Sequence, residues 1–302
     1  MADPSTLLCT LSTDALAHTS RYLTDVDVSR LWMCGDKRVN AKLAAHGVVE
    51  TFHVIRPLSS PTFWPSIIRY FPKTTVFRLN MLRNYSLSLK TEHILQLPGT
   101  LCELEFRYLS DAFRVFREVL ALQPQLFPSL ESLRIDDVST NNPVGPGRKG
   151  VNWPSSLTSL TLNVSDDLDL GELPAGLFSL SARIMEVLNS SLGFPSSLHH
   201  LDIELLGSLP LPIESLPAGL KALTLDHVPT RFPYYDWDLT KLPQGMTSLA
   251  GPFPHTQRTV ESLPAGLTFL ELPPSPDADT LAQFLPPMLK SAGIFLPRFF
   301  WT

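Results

Sequence analysis

Three groups of residues could, by their types, bind a metal ion or a phosphate. The segment 166–172 holds acidic residues of the kind that calcium prefers, but without the spacing of an EF-hand loop. His199 and His200 could offer nitrogens to zinc, but no third ligand stands near them in the sequence. The glycines of segment 141–150 lack the G-x-x-x-x-G-K-[ST] order of a phosphate loop, and no nucleophile motif or dinucleotide-binding fingerprint occurs. We therefore expect no metal ion, no other cofactor and no enzymatic activity.

Composition and charge argue against several further classes of protein. A chain of 302 residues that is 44% hydrophobic and 18% charged can bury a large core. The formal charge of -5 and the scattered Lys and Arg residues argue against nucleic acid as a partner. The sequence has no signal-peptide pattern and no apolar stretch of about 18 residues, so we expect no membrane association. Three widely separated cysteines fit a reducing compartment, so we expect the protein in the cytoplasm or the nucleus.

One sequence template recurs along the chain. It consists of an apolar residue, proline, two residues, leucine, two residues, leucine, one residue and a last apolar residue. From Pro154 to Pro286 its prolines are about 20 to 26 residues apart. The copy at Phe127 is one residue short, and a degraded last copy begins at Leu285. The other copies begin at Leu97, Trp153, Leu173, Phe194, Leu216, Leu242 and Leu263.

The spacing of the apolar residues predicts the structure of each copy. The last two apolar residues lie two positions apart, as in a strand with one buried face, so each copy contributes a short strand to a parallel stack. The first leucine fills the core behind the strand. Proline, which has no N–H to donate, lies in the bend before the strand. Because one copy cannot bury its own leucines, the copies must stack, and the expected fold class is α/β, a solenoid with parallel strands on a concave face.

Other segments extend this array in both directions. Strands are predicted at 49–55 and 76–80, so the solenoid is expected to span 47–302. The segment 111–122 has apolar residues at helical spacing and is predicted to form a helix, whereas later copies leave room only for a turn or a short helix. The apolar tail 294–302 is either a cap over the last repeat or a docking peptide.

Through this template the region 47–302 resembles leucine-rich repeat proteins, and its LPxxL phrase is most similar to LPX-type and FNIP-type repeats. The resemblance implies that the chain binds a protein on the concave face. Side chains beside and between the strand leucines point outward onto that face, either to contact a partner or merely to face solvent. Its acidic middle, from His200 to Asp226, predicts a partner with a basic segment. The predicted face residues are Glu103, Glu105, Arg107, Arg134, Asp136, Asn163, Arg183, His200, Asp202, Glu204, Asp226, Phe269 and Glu271.

Residues 11–43 depart from the template and are predicted to form three short helices. Thr24 and Asp27 form a capping box for the second helix. The segment resembles an F-box, whose Leu-Pro-x-Glu, Tyr-Leu, Asp-Leu and later Leu are aligned in register and without gaps. It departs from that pattern where Ser12 replaces the proline, Thr19 and Ser20 replace an aliphatic pair, and Arg38 replaces the late Trp. The matching positions, predicted to contact an adaptor, are Leu11, Asp14, Leu16, Tyr22, Leu23, Asp27, Val28 and Leu31.

The F-box resemblance implies a role in ubiquitination. Residues 1–46 would dock on a Skp-type adaptor of a cullin-RING ubiquitin ligase, while the repeats hold the protein substrate. In the alternative interpretation, the helices only cap the first repeat, and the chain is a scaffold with no role in ubiquitination.

Overall fold

The computed structural model describes two compact units, one within Met1–Ser139 and the other within Thr140–Thr302. We call them the N-terminal and the C-terminal unit. The predicted helical segment 1–46, its boundary at residue 47 and the tail after residue 294 lie outside the described residues. The described residues are 51–54, 75–80, 89–107, 109, 111–137, 151–164, 173–184, 193–205, 213–227, 238–253, 260–272 and 285–294.

The described part of the N-terminal unit contains strands that pair in parallel and in chain order. The helix predicted for 111–122 is confirmed, and it buries Phe113, Phe116 and Leu120. The ring of Phe116 stacks on Phe127 at a centroid distance of 5.9 Å. The two predicted upstream strands are also confirmed. The elements are β1 (Thr51–Val54), β2 (Val76–Asn80), α1 (Thr91–Ile94), β3 (Glu103–Arg107), α2 (Ala112–Leu122) and β4 (Ser132–Asp136).

The C-terminal unit is likewise a row of parallel strands in chain order. Short 3-10 helices at Ile213–Ser215 and Leu239–Lys241 lead into two of the repeats, as expected for units with little room before the strand. The strands are β5 (Ser159–Asn163), β6 (Ser179–Ile184), β7 (His200–Leu205), β8 (Ala222–His227), β9 (Ser248–Ala250), β10 (Phe269–Leu272) and β11 (Ser291–Ile294).

The core of the C-terminal unit consists of rows of apolar side chains that run across the strands. The first strand leucine of each copy faces its counterpart on the next strand, and none is more than 2% exposed. Burying a leucine contributes roughly 1.5–3 kcal/mol, so each added repeat stabilises its neighbours. The leucines of this row are Leu160, Leu180, Leu201, Leu223, Leu249 and Leu270.

A hydrogen-bonded turn precedes every described strand from β3 to β11. In most copies the amide of the template's first leucine donates to the proline carbonyl three residues earlier, as Leu157 does to Pro154 at 3.1 Å. The short copy closes the same turn differently, because Leu130 donates to the carbonyl of Phe127 at 3.3 Å. Pro128 then occupies the second position of the turn, where a fixed φ suits proline. One missing residue therefore moves the proline within the turn but does not remove the turn.

Within each unit, a second set of backbone bonds joins the starts of neighbouring strands, from β2 to β4 and from β5 to β11. One carbonyl just before a strand accepts two amides from the following repeat, as Thr158 does from Phe178 at 2.8 Å and Ser179 at 3.0 Å. Both lone pairs of the carbonyl oxygen are used in this way. These paired bonds fix the register of neighbouring strands one residue before the hydrogen bonds between the strands themselves begin. The carbonyls in this series belong to Thr75, Cys102, Thr158, Phe178, His199, Lys221, Thr247 and Thr268.

An additional apolar position lies upstream of the template. In four copies, a buried residue three positions before the pre-proline leucine accepts a hydrogen bond from the amide of that leucine. The buried side chain at this position adds to the core. The sequence contained this signal in the phrase apolar-x-x-Leu-Pro, which the template omits. The four residues are Ile94, Ile213, Leu239 and Val260.

The repeat at β9 departs from the others because Gly251 follows directly after its third strand residue. A Cβ at this position would lie 2.8 Å from Cε2 of Phe253 and 2.9 Å from the carbonyl oxygen of Leu225. Its φ of +155° is also one that L side chains rarely adopt. Gly251 stands where the neighbouring strands carry Leu225 and Leu272. The fully buried ring of Phe253 lies beside it.

We expect Gly251→Ala to lower the free energy of unfolding by about 1–3 kcal/mol, because the new methyl group overlaps backbone and ring atoms. Denaturant unfolding followed by circular dichroism measures the change. Gly193→Ala is the matched control, since a Cβ there meets nothing within 4 Å. Equal stability of the two variants would contradict this account of the β9 repeat.

Candidate partner-binding face

Strand alternation positions the predicted face residues. In β3, Leu104 and Phe106 are fully buried in the core, whereas Glu103, Glu105 and Arg107 project from the opposite side of the strand. The same alternation holds in β4 and β5. We call the side of the strands that faces away from the buried leucine rows the polar face, and we describe it separately for each unit.

In the N-terminal unit, arginines and carboxylates of the polar face interact with one another. The register places Glu105 of β3 between Arg78 of β2 and Arg134 of β4. Arg78 Nε lies 3.4 Å from Glu105 Oε2, and Arg134 Nε lies 3.9 Å from Glu105 Oε1. Arg107 Nε also donates to Glu105. Glu105, which is 7% exposed, is therefore surrounded by three guanidinium groups.

Two further carboxylates complete this cluster, which we call the arginine network. Arg78 Nε donates to Glu103 at 2.6 Å, and Arg134 Nε donates to Asp136 at 3.0 Å. Three arginines thus face three carboxylates, so the charges of the network balance. Because Glu105 and Asp136 are both buried, their charges are compensated within the protein. The network joins β2, β3 and β4 through side chains as well as backbone.

The polar face of the C-terminal unit has a different charge. The register aligns Asn163, Arg183, Glu204 and Asp226 in one row across β5 to β8. Arg183 Nε lies 3.3 Å from Glu204 Oε1. In the neighbouring polar row, Ser181 Oγ donates to Asp202 at 3.3 Å. On the described face of β5 to β8, three carboxyl groups, which we call the acidic patch, therefore stand against one guanidinium group. Asp202 is half-buried, the side chain of Glu204 is 12% exposed and Asp226 is 3% exposed.

An aromatic cluster lies at the start of β6 and β7. The ring of Phe178 stacks on His199 at a centroid distance of 4.5 Å and an interplanar angle of 19°. The ring of His200 lies 5.1 Å from Phe178 and is tilted by 55°. Phe178 remains 45% exposed. Of the three residues, only His200 was predicted as a face residue. A signal for Phe178 existed, because the template position before the strand holds polar residues such as Thr158 in most other copies.

The remaining predicted face residues lie apart from this patch. Phe269 and Glu271 belong to β10, two strands beyond β8. Phe269 is 37% exposed and pairs with Ser248 and Ser291 on its two neighbouring strands. The structure thus places Arg183, Glu204 and Asp226 in one row, the aromatic cluster at the starts of β6 and β7, and the two β10 residues elsewhere on the face.

Two further observations concern only the described ranges. Within them, no group of three or more His, Cys, Asp or Glu residues is arranged to hold a metal ion. None of the helices in these ranges is long and apolar enough to cross a membrane. The predicted adaptor-contacting residues, from Leu11 to Leu31, lie outside the described part of the chain.

Comparisons with known proteins find likenesses among solved structures only. The sequence matches no protein-family model and no curated protein. Among solved structures, the chain is similar to CroV588, described as a novel circular LRR protein, with 14% identity and a TM-score of 0.36. The similarity covers 74% of this chain and 40% of that protein.

The arginine network yields a prediction about stability. Glu105→Gln should lower the free energy of unfolding by about 1–3 kcal/mol, because three arginines lose the buried carboxylate that they share. Chemical denaturation of the full chain measures the change. Glu103→Gln is the matched control, and it should cost less than about 1 kcal/mol, since Glu103 is more exposed and pairs with fewer arginines. If the control costs as much as Glu105→Gln, Glu105 is not the centre of the network.

Proposed function

We propose that the chain is a non-enzymatic, protein-binding adaptor and that the polar face of its C-terminal unit holds a partner with a basic segment. The observation that carries this proposal is the contrast between the two polar faces. Among the described residues, arginines and carboxylates balance one another in the N-terminal unit, whereas the face of β6 to β8 carries three carboxyl groups and one guanidinium group. Complementary charge steers a partner to such a patch and disfavours acidic proteins. Parallel strands hold these groups at fixed spacing, as recognition of an extended surface requires.

The predicted contact residues divide accordingly. Arg183, His200, Asp202 and Glu204 are proposed to contact the partner, whereas Asp226, which is 3% exposed, is proposed to act through its charge. In the N-terminal unit, the proposed main role of the predicted face residues is to hold neighbouring strands together. Those residues are Glu103, Glu105, Arg107, Arg134 and Asp136.

Neutralising the acidic patch should reduce capture of basic partners. Proximity labelling in cells would compare the native chain with the double variant Asp202→Asn, Glu204→Gln. We expect the variant to lose a set of labelled proteins that share basic segments, because the charge complementarity is gone. Glu92→Gln on α1 is the control, since it removes an exposed carboxylate from another surface. An unchanged set of labelled proteins in the double variant would overturn the proposed face.

We further propose that residues 1–46 dock on a Skp-type adaptor, which would make the chain a substrate receptor of a cullin-RING ubiquitin ligase. The support for this step is the F-box resemblance in residues 11–43. The alternative is a leucine-rich repeat scaffold whose N-terminal helices only cap the array. Both versions share the protein-binding face and differ only in the adaptor.

Co-expression with a Skp-type adaptor distinguishes the two versions. We expect the native chain to co-purify with the adaptor and the variants Leu23→Asp and Leu31→Asp to lose it, because a buried charge disrupts an apolar contact. Leu122→Asp is the matched control, since Leu122 is 68% exposed on α2 and lies outside the segment. Failure of the native chain to co-purify would favour the scaffold.

A further inference from the structure

We propose that the cluster of Phe178, His199 and His200, which we call the aromatic ledge, binds an arginine side chain of the partner's basic segment. This inference rests on the proposed function and adds an anchor residue to it. The ledge consists of a half-exposed phenyl ring that is held in place by one stacked and one tilted imidazole ring. Because neighbouring rings fix its position, Phe178 offers a binding surface without having to be ordered on contact.

The chemistry around the ledge favours arginine over a purely apolar side chain. A guanidinium group is planar, stacks on aromatic faces and carries a charge that the ring attracts. The same charge is attracted by the carboxyl groups of Asp202 and Glu204 farther along β7. An apolar side chain would gain only the ring contact and would gain nothing from the acidic patch. Lysine would gain the charge, but it would not stack as a planar group.

The register sets the distance between the ledge and the acidic patch. Phe178 precedes Ser181 by three residues, and Ser181 faces Asp202 on β7. Since a strand rises about 3.3 Å per residue, the ledge lies about 10 Å from the level of Asp202. An extended peptide beside the strands spans that distance in three residues. The partner segment therefore carries an arginine for the ledge and a second basic residue two to four positions away for the carboxyl groups.

Labelled peptides test this arrangement on the full chain. The probe is the octapeptide Gly-Ser-Gly-Arg-Gly-Ser-Arg-Gly with a fluorescent label, measured by fluorescence anisotropy. In two further versions, lysine or citrulline replaces the first arginine. Citrulline keeps the planar shape but removes the charge. We expect each replacement to weaken binding about two- to fivefold, the effect of an exposed cation–π contact.

Variants of the chain separate the ledge from the acidic patch. Phe178→Ala and Phe178→Leu should both abolish the preference for arginine over lysine, because leucine keeps an apolar side chain but offers no aromatic face. The double variant Asp202→Asn, Glu204→Gln should weaken the arginine and lysine peptides alike. Phe269→Ala is the matched control, since it removes another exposed phenylalanine, at the start of β10, four strands beyond β6. A thermal unfolding midpoint equal to that of the native chain shows that each variant is folded.

Three outcomes would overturn the ledge. They are equal binding of the arginine and lysine peptides by the native chain, an unchanged preference after Phe178→Ala, and no binding of the diarginine peptide up to about 1 mM, the weak end of specific affinities. If one of these occurs while neutralising the patch still removes basic proteins from the proximity-labelled set, the ledge fails and the proposed function stands. If the double variant labels the same basic proteins as the native chain, the proposed function fails, whatever the peptides show.

Discussion

The turn between the proline carbonyl and the leucine amide is the interaction on which the repeat array depends. A turn of this kind precedes every described strand from β3 to β11, with N···O distances of 3.0 to 3.3 Å; before β4 the carbonyl belongs to Phe127, and before β9 the amide belongs to Met246. The turn buries the first leucine of the template and starts the strand at a fixed offset from that leucine. The carbonyls before the strands then accept two amides each from the following repeat. Because both sets of bonds act at the strand start, leucines align in rows even where the period changes.

Much of the fold could be predicted because one template contains both the turn and the core residues. The strands from β3 onward, including the folding of the degraded last copy into β11, follow from that pattern. The strands β1 and β2 and the helix α2 follow from the spacing of their own apolar residues. The second apolar position, as at Ile213, was missed because it recurs in only four copies, although it always lies three residues before the pre-proline leucine. The contact between Gly251 and Phe253 could not be inferred, since Phe253 follows the template and only packing places its ring beside the glycine.

The polar face shows where prediction from sequence ends. Alternation along a strand correctly placed Glu105 and Asp202 away from the core, because that rule concerns only neighbours in sequence. It could not show that Arg78 faces Glu105, since their pairing depends on the register between strands joined by segments of unequal length. Phe178 was missed because it precedes its strand and so lies outside the alternation. Whether the face binds a protein depends also on the partner, so it cannot be predicted from the pattern of one chain.

The doubled hydrogen bonds at the strand starts also bear on how such an array changes during evolution. The phrase Leu-Pro-Ala-Gly-Leu occurs at 173–177, 216–220 and 263–267, so recombination between any two of these sites would add or delete whole repeats. The amides at the start of each remaining strand would still donate to a carbonyl of the preceding repeat, and its leucine would still pack against the leucine of the neighbouring strand. The array could therefore lengthen or shorten without repacking, and the acidic patch could come to lie nearer to or farther from either end of the protein.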